Sequence, residues 1–157
     1  MYQNALRRIR RIRQVLRRQR PDVAVGMMTT SSCLLALAGR GTGIRLIGTE
    51  RAYPPALPLG RAWQVIRRTS YRWLDAVVAQ TEEGAAWLKA HTWAREVVAL
   101  PNPIALPLPV VEPRLDPLQI VPPNAKLLLS LGRLSDQKQL HLLIQSFADL
   151  APHHPDW

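Results

Sequence analysis

Short apolar segments alternate with helical segments along the first part of the chain, and this alternation constrains the fold more than any other feature. The apolar segments are 23–28, 44–48, 75–80 and 97–100. Between them, a helix is predicted over 30–38 with a Thr or Ser cap, and another over 59–74, where apolar residues share one face. A third is predicted over 82–91, which Thr81 would cap and Glu82 and Glu83 would favour. Strands that alternate with helices pair in parallel and are covered by those helices. The sequence therefore predicts an α/β fold, a parallel sheet with helices on both faces.

A further helix is predicted over residues 2–19, and Pro21 ends it. One side of this helix is apolar and carries Tyr2, Leu6, Ile9, Ile12 and Leu16. The other side is basic and carries Arg7, Arg10, Arg11, Arg17 and Arg18. Residues 1–72 contain 15 arginines and only two acidic residues. A negatively charged partner would therefore meet this half of the chain.

Composition excludes several classes of protein. Hydrophobic residues make up 47% of the chain and charged residues 20%, which is ordinary for a globular protein. No apolar run approaches the roughly 20 residues that span a bilayer. We do not expect the charged N-terminal stretch to be a secretory signal, because no apolar core follows it. Cys33 is the single cysteine, so disulfides within the chain and cysteine zinc sites are excluded. On an apolar helix, Cys33 is expected to be a core residue and not a nucleophile.

Proline divides the chain, since eight of the 23 residues from 101 to 123 are proline. We expect an N-terminal domain over 1–103, a linker over 104–123 and the start of a second domain over 124–157. That second part contains a predicted strand over 126–131 and a predicted helix over 137–150. A right-handed crossover needs a strand at each end, yet the pattern begins and ends with a helix. We therefore expect the first strand of one domain and the remainder of the other to be missing.

The loop between this last strand and helix is a candidate phosphate site. Gly132 follows the strand, and Arg133 and Lys138 lie in the loop that leads to the helix. Parallel sheets bind ligands at the carboxyl ends of their strands, and helix N-termini attract phosphate. A solvated loop with two surface cations is the alternative.

The segment GRLSDQKQLHLLIQSFADL, residues 132–150, resembles the start of the C-terminal domain of family 4 retaining glycosyltransferases. Upstream segments also resemble that family, in the same order: RPDVAVGMMTT, IGTER, DAVVAQTEEGAAWL and VVALPNPI. The resemblance implies the GT-B fold, in which each domain is Rossmann-like. It also implies a nucleotide-sugar donor and a saccharide or lipid-linked glycan acceptor.

By this resemblance, Arg133 and Lys138 would hold the donor diphosphate and stabilise its charge as it leaves. Gly132 would let the backbone approach the donor. These cations would replace a metal ion, so no metal and no other cofactor is expected. Gln139 departs from the family pattern, which has glycine after the lysine.

Glu50 and Arg51 follow the second strand and would lie on the acceptor side of the interdomain cleft, in a loop. An exposed ion pair with no function is the alternative interpretation of these two residues.

The resemblance predicts sugar transfer in cell-surface polysaccharide or glycolipid synthesis, in the cytoplasm. The basic side of the first helix could also bind the inner face of a membrane, because each arginine near an anionic leaflet contributes about 1 kcal/mol of binding free energy. A solvated helix whose apolar side packs on the sheet is the alternative.

An inactive, truncated fragment of such an enzyme is a second interpretation of the chain. A basic nucleic-acid-binding module is a third, and no nucleic acid is expected because no aromatic residues interleave with the arginines.

Overall fold

The computed structural model describes residues 2–57, 59–104, 106–107, 112, 116, 119, 121 and 126–154. The chain divides into two compact units, Met1–Ile104 and Ala105–Trp157. The predicted linker, 104–123, lies mostly outside the described residues.

The first unit is a four-stranded parallel sheet with helices between the strands. Its strands are β1 (Val23–Met27), β2 (Arg45–Glu50), β3 (Ala76–Ala79) and β4 (Val97–Ala99), in the spatial order β1-β2-β3-β4. Its helices are α1 (Tyr2–Gln19), α2 (Thr29–Gly39), α3 (Arg61–Ser70) and α4 (Glu82–His91). The predicted α/β class and the four predicted strands are confirmed. The helix predicted over 59–74 is shorter than expected, because a separate 3-10 turn, Tyr71–Trp73, follows α3.

Burial alternates along the strands, which separates the two faces of the sheet. Leu46, Gly48 and Glu50 of β2 point to the helix-covered face and are buried, and Val77 of β3 is buried beside them. The apolar core lies between this face and the helices. On the opposite face of the sheet, the side chain of Val25 is 54% exposed.

Helix α2 lies unusually close to β1 and β2. A Cβ atom on Gly26 would lie 2.7 Å from Cα of Ser32, so only glycine fits between strand and helix. The Ser32 hydroxyl lies 2.9 Å from the Gly26 carbonyl oxygen, to which it can donate, and accepts from the Thr49 amide at 3.1 Å. This buried hydroxyl therefore joins two strands to one helix.

The predicted Thr or Ser cap of α2 is wrong. Met28 precedes the helix with φ 68°, and no side chain caps the helix there. The Thr29 hydroxyl instead donates to Glu50, so it joins the start of α2 to the end of β2 and does not cap the helix. By contrast, the predicted cap of α4 is confirmed, since Thr81 Oγ1 accepts from the Gly84 amide at 3.1 Å.

Helix α1 is confirmed, but it packs against α2, where packing on the sheet was expected. Leu16 is buried and Ile12 packs on the core, whereas Leu6 is 60% exposed. Arg13 Nη1 donates to the carbonyl oxygens of Ala38 and Arg40, each at 2.8 Å. One arginine of α1 thus ties the helix to the C-terminal end of α2.

Cys33 lies in α2 and is fully buried, as expected for a core residue. Burial raises the pKa of its thiol to about 12. A protonated, inaccessible thiol is a poor nucleophile, so the prediction of a structural role stands.

In the second unit, α5 (Leu140–Leu150) lies within the predicted helix but begins after a separate 3-10 turn, Asp136–Lys138. The predicted strand over 126–131 is wrong, because this segment belongs to no strand in the structure. Leu128, Leu129 and Leu131 are exposed. A strand exists only when a neighbouring strand shares its hydrogen bonds, and an apolar run alone does not supply one.

We expect Gly26→Ala to lower the free energy of unfolding by about 1–3 kcal/mol, because its methyl group would push α2 away from β1. Gly60→Ser is the control, since a Cβ there meets nothing within 4 Å and serine suits its position before α3. Urea unfolding of both variants measures the difference. Equal stability of Gly26→Ala and wild type would contradict the close packing.

Candidate functional site

Polar side chains gather at the carboxyl ends of the four parallel strands. Arg51 follows β2, Gln80 follows β3 and Asn102 follows β4. Asn102 Oδ1 accepts from Arg51 Nη2 at 3.2 Å and from Gln80 Nε2 at 2.7 Å. This edge is where open parallel sheets bind their ligands.

A cavity of about 390 Å³ opens at this edge, beside the carboxyl ends of β1 and β2. It is lined by the start of α2, the end of β2, the proline-containing segment that follows, and Arg67 of α3. Its volume falls within the range of about 300–1,000 Å³ that is usual for ligand pockets. The charged residues in its lining are Glu50, Arg51 and Arg67.

Glu50 is the last residue of β2 and is only 4% exposed. The expectation of a loop residue in an exposed ion pair is therefore wrong for Glu50. The Tyr71 hydroxyl donates to Oε1 at 2.5 Å, and the Thr29 hydroxyl donates to Oε2 at 2.6 Å. A buried carboxylate needs such donors, and these two hydroxyl groups hold it in one orientation. Each carboxylate oxygen can accept a further hydrogen bond.

Tyr71 is fully buried, and its burial, followed by the negative charge of Glu50, raises the pKa of its hydroxyl well above the usual value. The hydroxyl therefore stays protonated and remains a donor to Glu50. Tyr71 thus acts on the candidate site by positioning the carboxylate.

Arg67 is a buried arginine whose guanidinium lies 4.7 Å from the centre of the Trp87 ring, in a cation–π contact. Among the described residues, its guanidinium has no hydrogen-bond or ion-pair partner. Its side chain also lines the cavity that contains Glu50. Its donors can therefore serve a ligand in the cavity.

The backbone at the cavity is strained at Met28, where φ is 68° in a residue with a side chain. Such outliers cost about 1–3 kcal/mol and concentrate at ligand sites. The strained residue directs the chain from β1 into the first turn of α2, so that Thr29, Thr30 and Ser31 line the cavity. A helix N-terminus with free amide groups favours a negatively charged ligand.

Arg51 is exposed and lines the same cavity, but it bonds to Asn102 and forms no ion pair with Glu50. The two acceptor-side candidates thus lie at one cavity, Glu50 within its wall and Arg51 at its surface.

The candidate donor residues lie in the second unit. Lys138 folds back over Gly132, where its Cγ would lie 3.5 Å from a Cβ atom on that glycine. Arg133 and Lys138 are both exposed, and neither bonds through its side chain to another described residue. Gln139 adopts a left-handed conformation with φ 48°, which a glycine would adopt without strain. This conformation gives a backbone reason for the glycine that the family pattern has at this position.

The five arginines assigned to a membrane-facing surface, Arg7, Arg10, Arg11, Arg17 and Arg18, are all exposed on α1. Among the helices that the structure describes, none has the length and apolar character needed to cross a membrane. Within the same residues, no three His, Cys, Asp or Glu side chains come together as a metal site.

Sequence reasoning missed Tyr71, Thr29 and Arg67. For Arg67 a signal was present, because it follows Trp63 by four residues and precedes Ser70 by three, on the apolar side of α3. A charged residue on a buried helix face often marks a site. No local signal identified Tyr71, which lies in the 3-10 turn after α3 and meets Glu50 only in the folded chain.

We expect Tyr71→Phe to lower the free energy of unfolding at pH 7 by about 1.5–3 kcal/mol, because Glu50 loses a donor inside the protein. Tyr53→Phe is the control for loss of a hydroxyl, since Tyr53 is an exposed tyrosine, whose pKa is raised chiefly by hydrogen bonding to Glu83. The folded pKa of Tyr71 exceeds its unfolded value, so its contribution to stability is complete below pH 10 and falls above it. Urea unfolding across pH 9–11 should show that the free energy of unfolding of wild type falls with pH. This slope should be smaller in Tyr71→Phe, by up to about 1.4 kcal/mol per pH unit, and should change less in Tyr53→Phe, because the Tyr53 hydroxyl is exposed. Identical slopes would contradict the buried pair.

Comparison with known proteins identifies a family for the first unit. The model of the family described as "Glycosyl transferase 4-like domain" matches residues 1–103. The curated proteins include no match to the chain. The matched residues cover α1 to α4, all four strands, and the cavity at their carboxyl ends. On this match, which spans well over half of its length, the chain belongs to the glycosyl transferase 4-like domain family.

Proposed function

We propose that this chain belongs to an enzyme that transfers a sugar from a nucleotide-diphosphate donor to a saccharide or lipid-linked glycan. The observation that carries the proposal is the cavity beside Glu50, at the carboxyl ends of β1 and β2 in a domain of this family. We place the acceptor in this cavity and the donor diphosphate on Arg133 and Lys138. The pathway that we favour is the synthesis of cell-surface polysaccharide or glycolipid.

The chemistry of the cavity supports an acceptor with hydroxyl groups and a negative charge. Glu50 is held by two donors, yet each of its carboxylate oxygens can accept a further hydrogen bond from an acceptor hydroxyl. Arg67 and the first turn of α2 add donors for an anionic group such as the phosphate of a lipid-linked glycan. We assign Glu50 and Arg51 to acceptor binding.

The chemistry of the loop after Gly132 supports a donor diphosphate. A guanidinium can bind two phosphate oxygens at once, and a lysine adds a mobile positive charge. The methylene carbons of Lys138 lie over Gly132, so this side chain is already beside the loop glycine. These charges would stabilise the departing diphosphate, which is the role that a metal ion has in other transferases.

The donor assignment predicts that Arg133→Ala and Lys138→Ala each weaken nucleoside diphosphate binding by about tenfold or more, since each removes a charge-assisted hydrogen bond. Titration calorimetry of the chain with uridine, guanosine and adenosine diphosphates measures the affinities. Lys89→Ala is the control, because it removes an exposed cation from α4. If both loop variants bind as tightly as Lys89→Ala, the donor site is wrong.

We also infer that the basic side of α1 contacts an anionic membrane, because its five assigned arginines are all exposed. At about 1 kcal/mol for each arginine, the double variant Arg7→Gln/Arg11→Gln should bind anionic vesicles about thirtyfold more weakly. Cosedimentation with phosphatidylcholine vesicles that contain phosphatidylglycerol measures this. Arg61→Gln/Arg95→Gln removes the same charge from positions outside α1. Equal binding by the two double variants would refute the assignment to α1.

A further inference from the structure

A second cleft, of about 910 Å³, lies at the opposite edge of the sheet from Glu50, where β1 and β2 begin. Its walls are the C-terminal end of α1, the segment that enters β1, and the turn between α2 and β2. The amide of Arg45 donates to the Asp22 carbonyl at 3.2 Å, which joins the first residue of β2 to the residue before β1. This bond fixes one end of the cleft.

The lining of this cleft is strongly basic. Arg17, Arg20 and Arg45 contribute to it, against the single carboxylate of Asp22. All three arginines are exposed. Within the part of the chain that the structure describes, none of the three guanidinium groups bonds to another residue. Three free guanidinium groups around one concave surface can bind a group with several negative oxygens.

Arg20 occupies a conformation that its side chain disfavours. It follows α1 with φ 46°, and its amide donates to the Leu16 carbonyl at 2.9 Å. Helices often end with such a left-handed residue, and it is usually glycine or asparagine. Arginine at this position costs stability that glycine would not. A strained residue that places a cation in a cleft indicates a role for that cation.

Two glycines open the other wall of the cleft. Gly41 has φ 70° and Gly43 has φ 76°, and a Cβ atom on either would meet nothing within 4 Å. The turn therefore exposes its backbone to the cleft, where a ligand can approach it closely.

The ordinary explanation for basic residues at the end of a helix is that they balance its negative dipole. That explanation accounts for Arg17, which lies in the last turn of α1. It does not account for Arg45, which begins a strand, or for the choice of arginine over glycine at position 20.

We propose that this cleft binds a phosphate-bearing ligand, which Arg17, Arg20 and Arg45 hold by their guanidinium groups. A free phosphorylated molecule and the headgroup of a phospholipid present the same chemistry to these arginines. The site is separate from the cavity beside Glu50, because it lies at the amino ends of the same strands.

The test measures two probes, inorganic pyrophosphate by titration calorimetry, and phosphatidylcholine vesicles with and without phosphatidylglycerol by cosedimentation. Arg20→Asn and Arg45→Gln should each weaken binding about tenfold, since each removes one guanidinium group from the phosphate. Arg95→Gln is the matched control, because this exposed arginine lies before β4 at the same edge of the sheet but outside the cleft. Urea unfolding accompanies each variant, and Arg20→Asn should be at least as stable as wild type, because asparagine tolerates the left-handed conformation.

Pyrophosphate binding that falls in both cleft variants, and not in Arg95→Gln, would support the proposal with a free phosphate as the ligand. Binding of anionic vesicles alone, with the same dependence on the variants, would support it with a phospholipid headgroup. Two results would overturn it. One is no binding of either probe, and the other is equal binding by the cleft variants and Arg95→Gln, which would assign any vesicle binding to the rest of α1.

Discussion

The close approach of α2 to β1 and β2 is the constraint on which the rest of the first unit depends. Gly26 leaves no room for a side chain, and Ser32 fills the gap with a hydroxyl that reaches both strands. Because α2 lies this low on the sheet, Thr29 reaches Glu50 at the end of β2. The same position brings the C-terminal end of α2 within reach of Arg13 on α1. The small residues Gly26 and Ser32 thus make possible the contacts at both ends of α2, to Glu50 and to Arg13.

The fold could be predicted from the sequence largely because its strands are short apolar runs bounded by turn residues. The cap at Thr81 was equally predictable, because a hydroxyl followed by Glu82 and Glu83 is a local pattern. The strand over 126–131 shows the opposite case. It has the composition of a strand, yet strand formation depends on a neighbour that composition does not reveal.

The candidate site was predictable in position and not in detail. Glu50 was flagged because it ends a strand, but its burial depends on Tyr71, which is 21 residues away in the chain. Gln139 shows a further limit of sequence reasoning. The sequence shows that glutamine stands where the family pattern has glycine, but only the structure shows that the backbone there is left-handed. The roles of Arg133 and Lys138 stay predictions until donor binding is measured. Local patterns identify strand ends well, and they identify partners across the fold poorly.

Arg13 has a consequence for how forces on α1 would reach the rest of the unit. Its guanidinium bonds to two carbonyl oxygens at the end of α2, while Leu16 of the same helix lies in the core. Moving α1 away from α2 would break both hydrogen bonds of the Arg13 guanidinium and expose the Leu16 side chain at the same time. Both losses oppose the movement, so α1 is held firmly against α2. A surface that binds the outer side of α1 would therefore also set the distance and orientation of the cavity beside Glu50 relative to that surface.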